Sequence, residues 1–133
     1  LDLIKASATG EEYPVWYVTV SFYAAVHYVE AAVAGAEFLF IETSPGTPRR
    51  KIRGPGHSEV LMPQLSTTSP HVVRKKLLQW NGLYFPGCYE PYSDLLEMSH
   101  AARYSAQQVH PSQAQEAKEC LEKIQANLAT RIG

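Results

Sequence analysis

The chain has 133 residues, 45% of them apolar, and 12 basic side chains set against 13 acidic ones leave a formal charge of −1. That length suits one domain, residues 1–133, with a hydrophobic core of its own, and the composition excludes a disordered tail or adaptor. The near-neutral balance argues against steering of the whole protein onto nucleic acid.

The first element expected is a helix that starts around Glu11-Glu-Tyr-Pro-Val-Trp16. Acidic residues suit the positive end of the helix dipole, Pro14 suits the first turn, and Gly35 supplies the stop after Ala34. Trp16, Val20, Tyr23 and His27 follow one face and Phe22, Val26, Val29 and Val33 another. A helix apolar on both faces is expected to be wrapped by other elements. His27 and Glu30, at i and i+3, then predict a small polar site within the wrapped region, either as a ligand-binding pair with His57 or as a pair that satisfies itself in the core.

Residues 35–57 break the helical pattern. Phe38-Leu-Phe-Ile41 reads as a short strand or an extended arm, and Ser44 to Gly56, dense in Pro, Gly and basic residues, reads as a long surface loop. Its Arg49, Arg50, Lys51 and Arg53 would meet phosphates, or simply form a solvated tip. Ser58 to Leu65 reads as a short helix interrupted by Pro63.

Ser69-Pro70 is an N-cap followed by proline at the first helical position, which predicts a helix through Trp80 that stops near Gly82. Phe85-Pro-Gly-Cys88 is a turn, beside which Tyr84, Phe85 and Tyr89 would mark a partner surface if exposed. A helix is expected over Pro91–Tyr104, with Leu95, Met98 and Ala102 on one face. The last helix is expected from Ser112, with Ser112 and Gln115 as a capping box and Ala114, Ala117, Leu121, Ile124 and Leu128 as its apolar stripe. These elements make an all-α fold, a compact up-and-down bundle of four or five helices with a long Pro/Gly/basic connector after the first.

Cys88 and Cys120 form no CxxC pattern and no disulfide framework, which predicts reduced thiols in a cytoplasmic protein. No run approaches the roughly 18 apolar residues of a membrane span, and no basic start with an apolar middle marks a signal peptide. The sequence has no Gly-x-Ser-x-Gly elbow, P-loop or Gly-x-Gly-x-x-Gly, so those routes to hydrolysis and nucleotide binding are excluded. Glu97-Met-Ser-His100 has the Glu-x-x-His spacing of di-iron carboxylate bundles, but that site needs a second such pair. His27-x-x-Glu30 runs in the opposite order, so no metal or other cofactor is expected, and a metal-binding bundle enzyme using His27, Glu30, His57 or His100 is the third reading.

Three segments together carry a family resemblance: Phe22-Tyr-Ala-Ala-Val-His-Tyr-Val-Glu-Ala31, His57-Ser58, and Tyr92-Ser-Asp-Leu-Leu-Glu-Met-Ser-His-Ala-Ala-Arg-Tyr104 with the amphipathic helix after it. In these the chain resembles a divergent bacterial branch of the HEPN superfamily, over the two outer thirds of its length. The resemblance implies an up-and-down bundle, usually a homodimer, in a family rich in toxin, defence and RNA-processing proteins. It also implies an Arg-x(4–6)-His motif of metal-independent endoribonucleases, matched here by Arg103-Tyr-Ser-Ala-Gln-Gln-Val-His110. Tyrosine follows the arginine where active members commonly carry a small polar residue, and Pro111 follows the histidine.

In that reading His110 would move a proton to or from the ribose and leaving oxygens, and Arg103 would stabilise the charge on the phosphorane. Two such pairs would share one cleft in a dimer. In the alternative, Arg103 serves the dipole in the last turn of its helix and His110 caps the next. A second class of function is then a non-catalytic module that binds a protein partner of antitoxin or nucleotidyltransferase type through an apolar bundle face and the basic loop.

Overall fold

The computed structural model describes residues 14–42, 46, 48, 50–53, 69–104 and 110–132. Within them the chain runs α1 (Pro14–Ala34), β1 (Phe38–Ile41), β2 (Arg50–Arg53), α2 (Pro70–Trp80), α3 (Tyr89–Tyr104) and α4 (Pro111–Ile132). The fold is a compact all-α bundle of these four helices, with a small β-hairpin set against α2.

α1 opens on Pro14, whose missing N–H costs nothing at a helix start, and ends where the Gly35 amide bonds the Ala31 carbonyl at 3.1 Å. Its many valines are poor helix formers, so tertiary packing must hold it. Val18, Phe22, Ala25, Val29 and Val33 supply that packing, all fully buried. They join Leu77 and Leu78 of α2, Tyr92 and Leu95 of α3, and Ala117, Ile124 and Leu128 of α4 in one apolar core. The α4 stripe expected from the sequence is buried throughout, from Ala114 to Leu128.

The other face of α1 departs from the expectation of a wrapped helix. Val15, Trp16 and Tyr23 are between 44% and 48% exposed, and His27, Tyr28, Ala31 and Ala34 are also open to solvent. An apolar side chain does not have to be buried, and the core needs only one stripe of this helix.

The connector is not a loop throughout. β1 and β2 pair antiparallel, Phe38 opposite Arg53, Leu39 opposite Ile52, Phe40 opposite Lys51 and Ile41 opposite Arg50. Leu39 and Ile41 alternate with Phe38 and Phe40 and point into the core. Asn81, which caps the C-terminus of α2, locks this hairpin in place. Its side-chain Oδ1 accepts from the Phe40 amide at 2.7 Å, and its Nδ2 donates to the carbonyls of Phe40 at 3.0 Å and Leu77 at 2.8 Å.

α2 begins as expected at Ser69-Pro70, with the Ser69 hydroxyl accepting from the Val72 amide. The turn after it buries Phe85 and packs Tyr84 and Tyr89 against the core, so those three rings are not the exposed surface that their position suggested. Leu83 is the side chain left out there, 91% exposed. Gly87 sits at φ +72, and Asn127 of α4 donates to its carbonyl at 3.0 Å. The short helix expected at Ser58–Leu65 lies outside the described residues.

Candidate functional site

The first two turns of α2 place a cation in an apolar stripe. Val73, Leu77 and Leu78 are buried around Arg74, which is only 6% exposed itself. A buried charge requires a partner. α1 supplies it, because the Arg74 Nε–H donates to Oε1 of Glu30 in a close ion pair. Arg74 Nη1 also reaches Nδ1 of His71, one turn earlier on the same face, at 3.0 Å. Tyr92 of α3 lies fully buried beside this pair. Phe22 closes the cluster, its ring 5.0 Å from His71 in an edge contact and 5.8 Å from Tyr92.

The chemistry of this cluster follows from what each group can do. A guanidinium only donates, so Nδ1 of His71 accepts and the proton of the neutral ring is on Nε2. Burial lowers the pKa of His71, and the charges of Arg74 and Arg103 lower it further. His71 is therefore a neutral Nε2–H donor near pH 7. Tyr92 is pushed up to about 12, chiefly by burial, with Arg74 opposing the rise and Glu30 adding to it.

Arg103, in the last turn of α3, adjoins the cluster. Its Nε–H donates to the Ser99 carbonyl at 3.3 Å and its Nη1 to the Tyr23 hydroxyl at 3.2 Å. Its guanidinium carbon lies 6.0 Å from the centre of the Tyr23 ring, at the long end of a cation–π contact. Arg103 is exposed, and Tyr23 belongs to the open face of α1.

His110 is also exposed, immediately before α4. Its Nδ1 accepts from the Ser112 amide at 3.1 Å and lies 2.9 Å from the Ser112 hydroxyl, while Gln113 Oε1 accepts from the His110 amide at 2.7 Å. This reciprocal arrangement is a capping box in which His110 and Gln113 take the places expected of Ser112 and Gln115. Gln115 instead donates to Glu119 at 3.3 Å. Pro111 makes the shift possible, since proline fits the first helical position directly after the cap.

Glu30 turns toward Arg74 while His27 is exposed, since positions i and i+3 differ by about 60° around a helix. Arg49 and His57 lie outside the described residues, and Arg50 and Arg53 are described as backbone positions in β2. Among the described residues no group of three or more His, Cys, Asp or Glu is arranged to hold a metal ion. Cys88 and Cys120 are free and buried, and burial raises both thiols, Cys88 to about 11.

His71, Arg74 and Tyr92 were not among the residues that the sequence singled out. A signal was present: Arg74 is three and four residues before Leu77 and Leu78, and a charge in an apolar stripe implies a buried partner. A separate cleft of about 430 Å³ lies between α2, α3 and α4, with Leu78, Phe85 and Pro91 lining it beside Glu90, Asp94 and Lys123.

Fold and site together define an all-α helical-bundle protein with a polar cluster buried where α1, α2 and α3 meet. No family model matches the chain, and neither the curated proteins nor the solved structures include a match to it. Among the described residues no helix is long and apolar enough to cross a membrane.

Proposed function

We propose that this protein is a HEPN-like bundle of an RNA- or nucleotide-linked stress or defence system, working as a cytoplasmic homodimer that cleaves RNA without a metal. Arg103 and His110 are its catalytic pair. The observation that carries the reading is the seat of Arg103 on Tyr23, in the exposed apolar face of α1. Self-association through that face would bring two copies of Arg103 together.

The side chains along the face support pairing with a second copy. Trp16 stands at one end and the small Ala31 and Ala34 at the other. A two-fold axis near residue 25 sets Trp16 against the second copy's Ala34 and Thr19 against its Ala31, with Tyr23 and its Arg103 at the edge of the seam. The largest side chain of the face then meets one of the smallest, and each contact occurs twice, as an isologous interface requires.

The test combines mass and activity. Light scattering of the native chain is expected to give a dimer, and Tyr23→Glu a folded monomer. RNA cleavage in EDTA is expected to yield 2′,3′-cyclic-phosphate ends and to be lost in Arg103→Ala. His110→Asn is the decisive variant, because asparagine is a good N-cap and lacks the imidazole. Full cleavage by His110→Asn would remove the histidine from the chemistry.

A second reading rests on the His110 contacts themselves. An imidazole whose Nδ1 already accepts from a backbone amide is a structural cap. In that reading the bundle is a non-catalytic module, and the face of α1 binds an antitoxin- or nucleotidyltransferase-type partner. Neither Arg103→Ala nor His110→Asn would then change any RNA.

A further inference from the structure

We propose that His71 is a phosphate-binding residue, its Nε2–H converging with the Arg103 guanidinium and the Tyr23 hydroxyl on one oxyanion at the junction of α1, α2 and α3. The proposal rests on reading Arg103 as a phosphate-facing group, and extends that site to a residue on a different helix.

Four observations carry it. Arg74 fixes the tautomer of His71, because a guanidinium can only donate to Nδ1, so Nε2 presents a hydrogen rather than a lone pair. Glu30 fixes Arg74 in turn, as its ion-pair partner. His71 thereby gains a hydrogen-bonded support chain of the kind that orients a ring in a binding site. Tyr23 accepts from Arg103, which leaves its own hydroxyl hydrogen to donate.

The third observation is proximity. Phe22 is in ring contact with both His71, at 5.0 Å, and Tyr23, at 5.7 Å, and Tyr23 in turn accepts from Arg103 at 3.2 Å. The fourth is access, since Arg103 and Tyr23 are exposed and His71 is only partly covered. A neutral donor, a fixed cation and a hydroxyl suit a phosphate group, whose oxygens only accept. His71 is also in the first turn of α2, at the positive end of that helix. With the proton held on Nε2, His71 cannot act as a general base there, so its role is to bind and orient.

The experiment follows the His71 ring by long-range proton–nitrogen NMR while inorganic phosphate is added to the full chain. The Nε2–H tautomer is expected, with saturable shifts of the His71 ring and the Arg103 Nε–H. His71→Phe keeps the ring against Phe22 and removes the donor, and it is expected to weaken binding about tenfold or more. The Nδ1–H tautomer, or phosphate shifts that leave His71 unmoved, would overturn the proposal.

A second arm titrates a single-stranded oligoribonucleotide. Tighter binding than phosphate alone, weakened by His71→Phe, assigns the site to a nucleic-acid backbone, whereas shifts with phosphate only assign it to a small phosphorylated ligand. Phosphate binding through His71 without any RNA cleavage removes the ribonuclease reading and keeps this site. Cleavage with an unchanged KM in His71→Phe removes the site and keeps the ribonuclease.

Discussion

The side chain of Asn81 pairs with the backbone of Phe40 on both sides, accepting from its amide and donating to its carbonyl. One asparagine thus does for β1 what a third strand would do, and it does so from the end of α2. Asn81 is almost fully buried, so its own amide group would otherwise lack water as well as a partner. Asn81→Ala is expected to cost about 2–3 kcal/mol, from lost hydrogen bonds and an orphaned buried amide. Urea unfolding measures the loss, and hydrogen exchange should show the Phe40 amide exposed before the core helices open. Unchanged protection at Phe40 would show that packing of Leu39 and Ile41 alone holds the hairpin.

The Glu30–Arg74 pair makes a prediction of opposite character for single and double variants. Removing one partner leaves a charge in a largely apolar setting, which costs about 3–5 kcal/mol for fully buried pairs. Some 15% of the Glu30 side chain reaches solvent, so Arg74→Met is expected below that range, at about 2–3 kcal/mol. Adding Glu30→Leu to Arg74→Met should restore much of that loss, since the largely buried charge left behind is gone. A double variant no more stable than Arg74→Met would show that the pair does not act as a unit.

Acid should weaken the fold through His71. Its pKa is lowered in the folded chain, by burial first and by Arg74 and Arg103 after it. The unfolded chain therefore binds the proton more readily. Stability contributed by the neutral ring is full above the ordinary histidine value of about 6.5 and falls as pH drops from there to the folded value. His71→Phe should flatten this limb of the stability–pH curve. A limb of equal slope in the variant would assign the acid sensitivity to other groups.

The alkaline limb has a different origin. Burial raises Cys88 to about 11 and Tyr92 to about 12, so both stay protonated in the folded chain at pH values where the unfolded chain has released the proton. Stability is expected to fall as pH rises above about 9, where the thiol of the unfolded chain ionises first. Cys88→Ala should make that decline shallower, with the Cys120 thiol, also raised by burial, keeping its onset in place. Thermal melts from pH 8 to 10.5 provide the comparison.

Gly87 is held at φ +72 with Asn127 against it, and a Cβ there would lie 2.5 Å from the Asn127 amide nitrogen. Gly87→Ala is expected to cost about 1–2 kcal/mol from the left-handed backbone alone, with displacement of Asn127 on top. Asn127→Ala relieves the contact but not the backbone, so it should rescue only part of the loss. Complete rescue would mean that the clash dominates.

Local signals made much of this fold legible. Pro14 and Gly35 bracket α1, Ser69-Pro70 starts α2, and the stripe from Ala114 to Leu128 is buried as its spacing implies. Each of these depends on residues within a few turns of one another. The open face of α1 is not legible, because composition shows that a stripe is apolar, not whether anything covers it. The hairpin was obscured by the proline, glycine and basic residues around β2, and its registry pin, Asn81, is 41 residues from Phe40. The polar cluster joins positions 44 residues apart, a distance at which no periodicity speaks. Arg103 and His110 were legible as a spacing, and so was the alternative in which each serves a helix end.

The two tryptophans occupy opposite environments, Trp16 half-exposed on α1 and Trp80 buried at the end of α2. Their fluorescence therefore separates by colour, red-shifted from Trp16 and blue-shifted from Trp80. Covering the α1 face would turn the red component blue while leaving the other fixed, and melting α2 would do the reverse. Assembly and unfolding of this protein are thus two distinct optical events, readable in one cuvette without any added label.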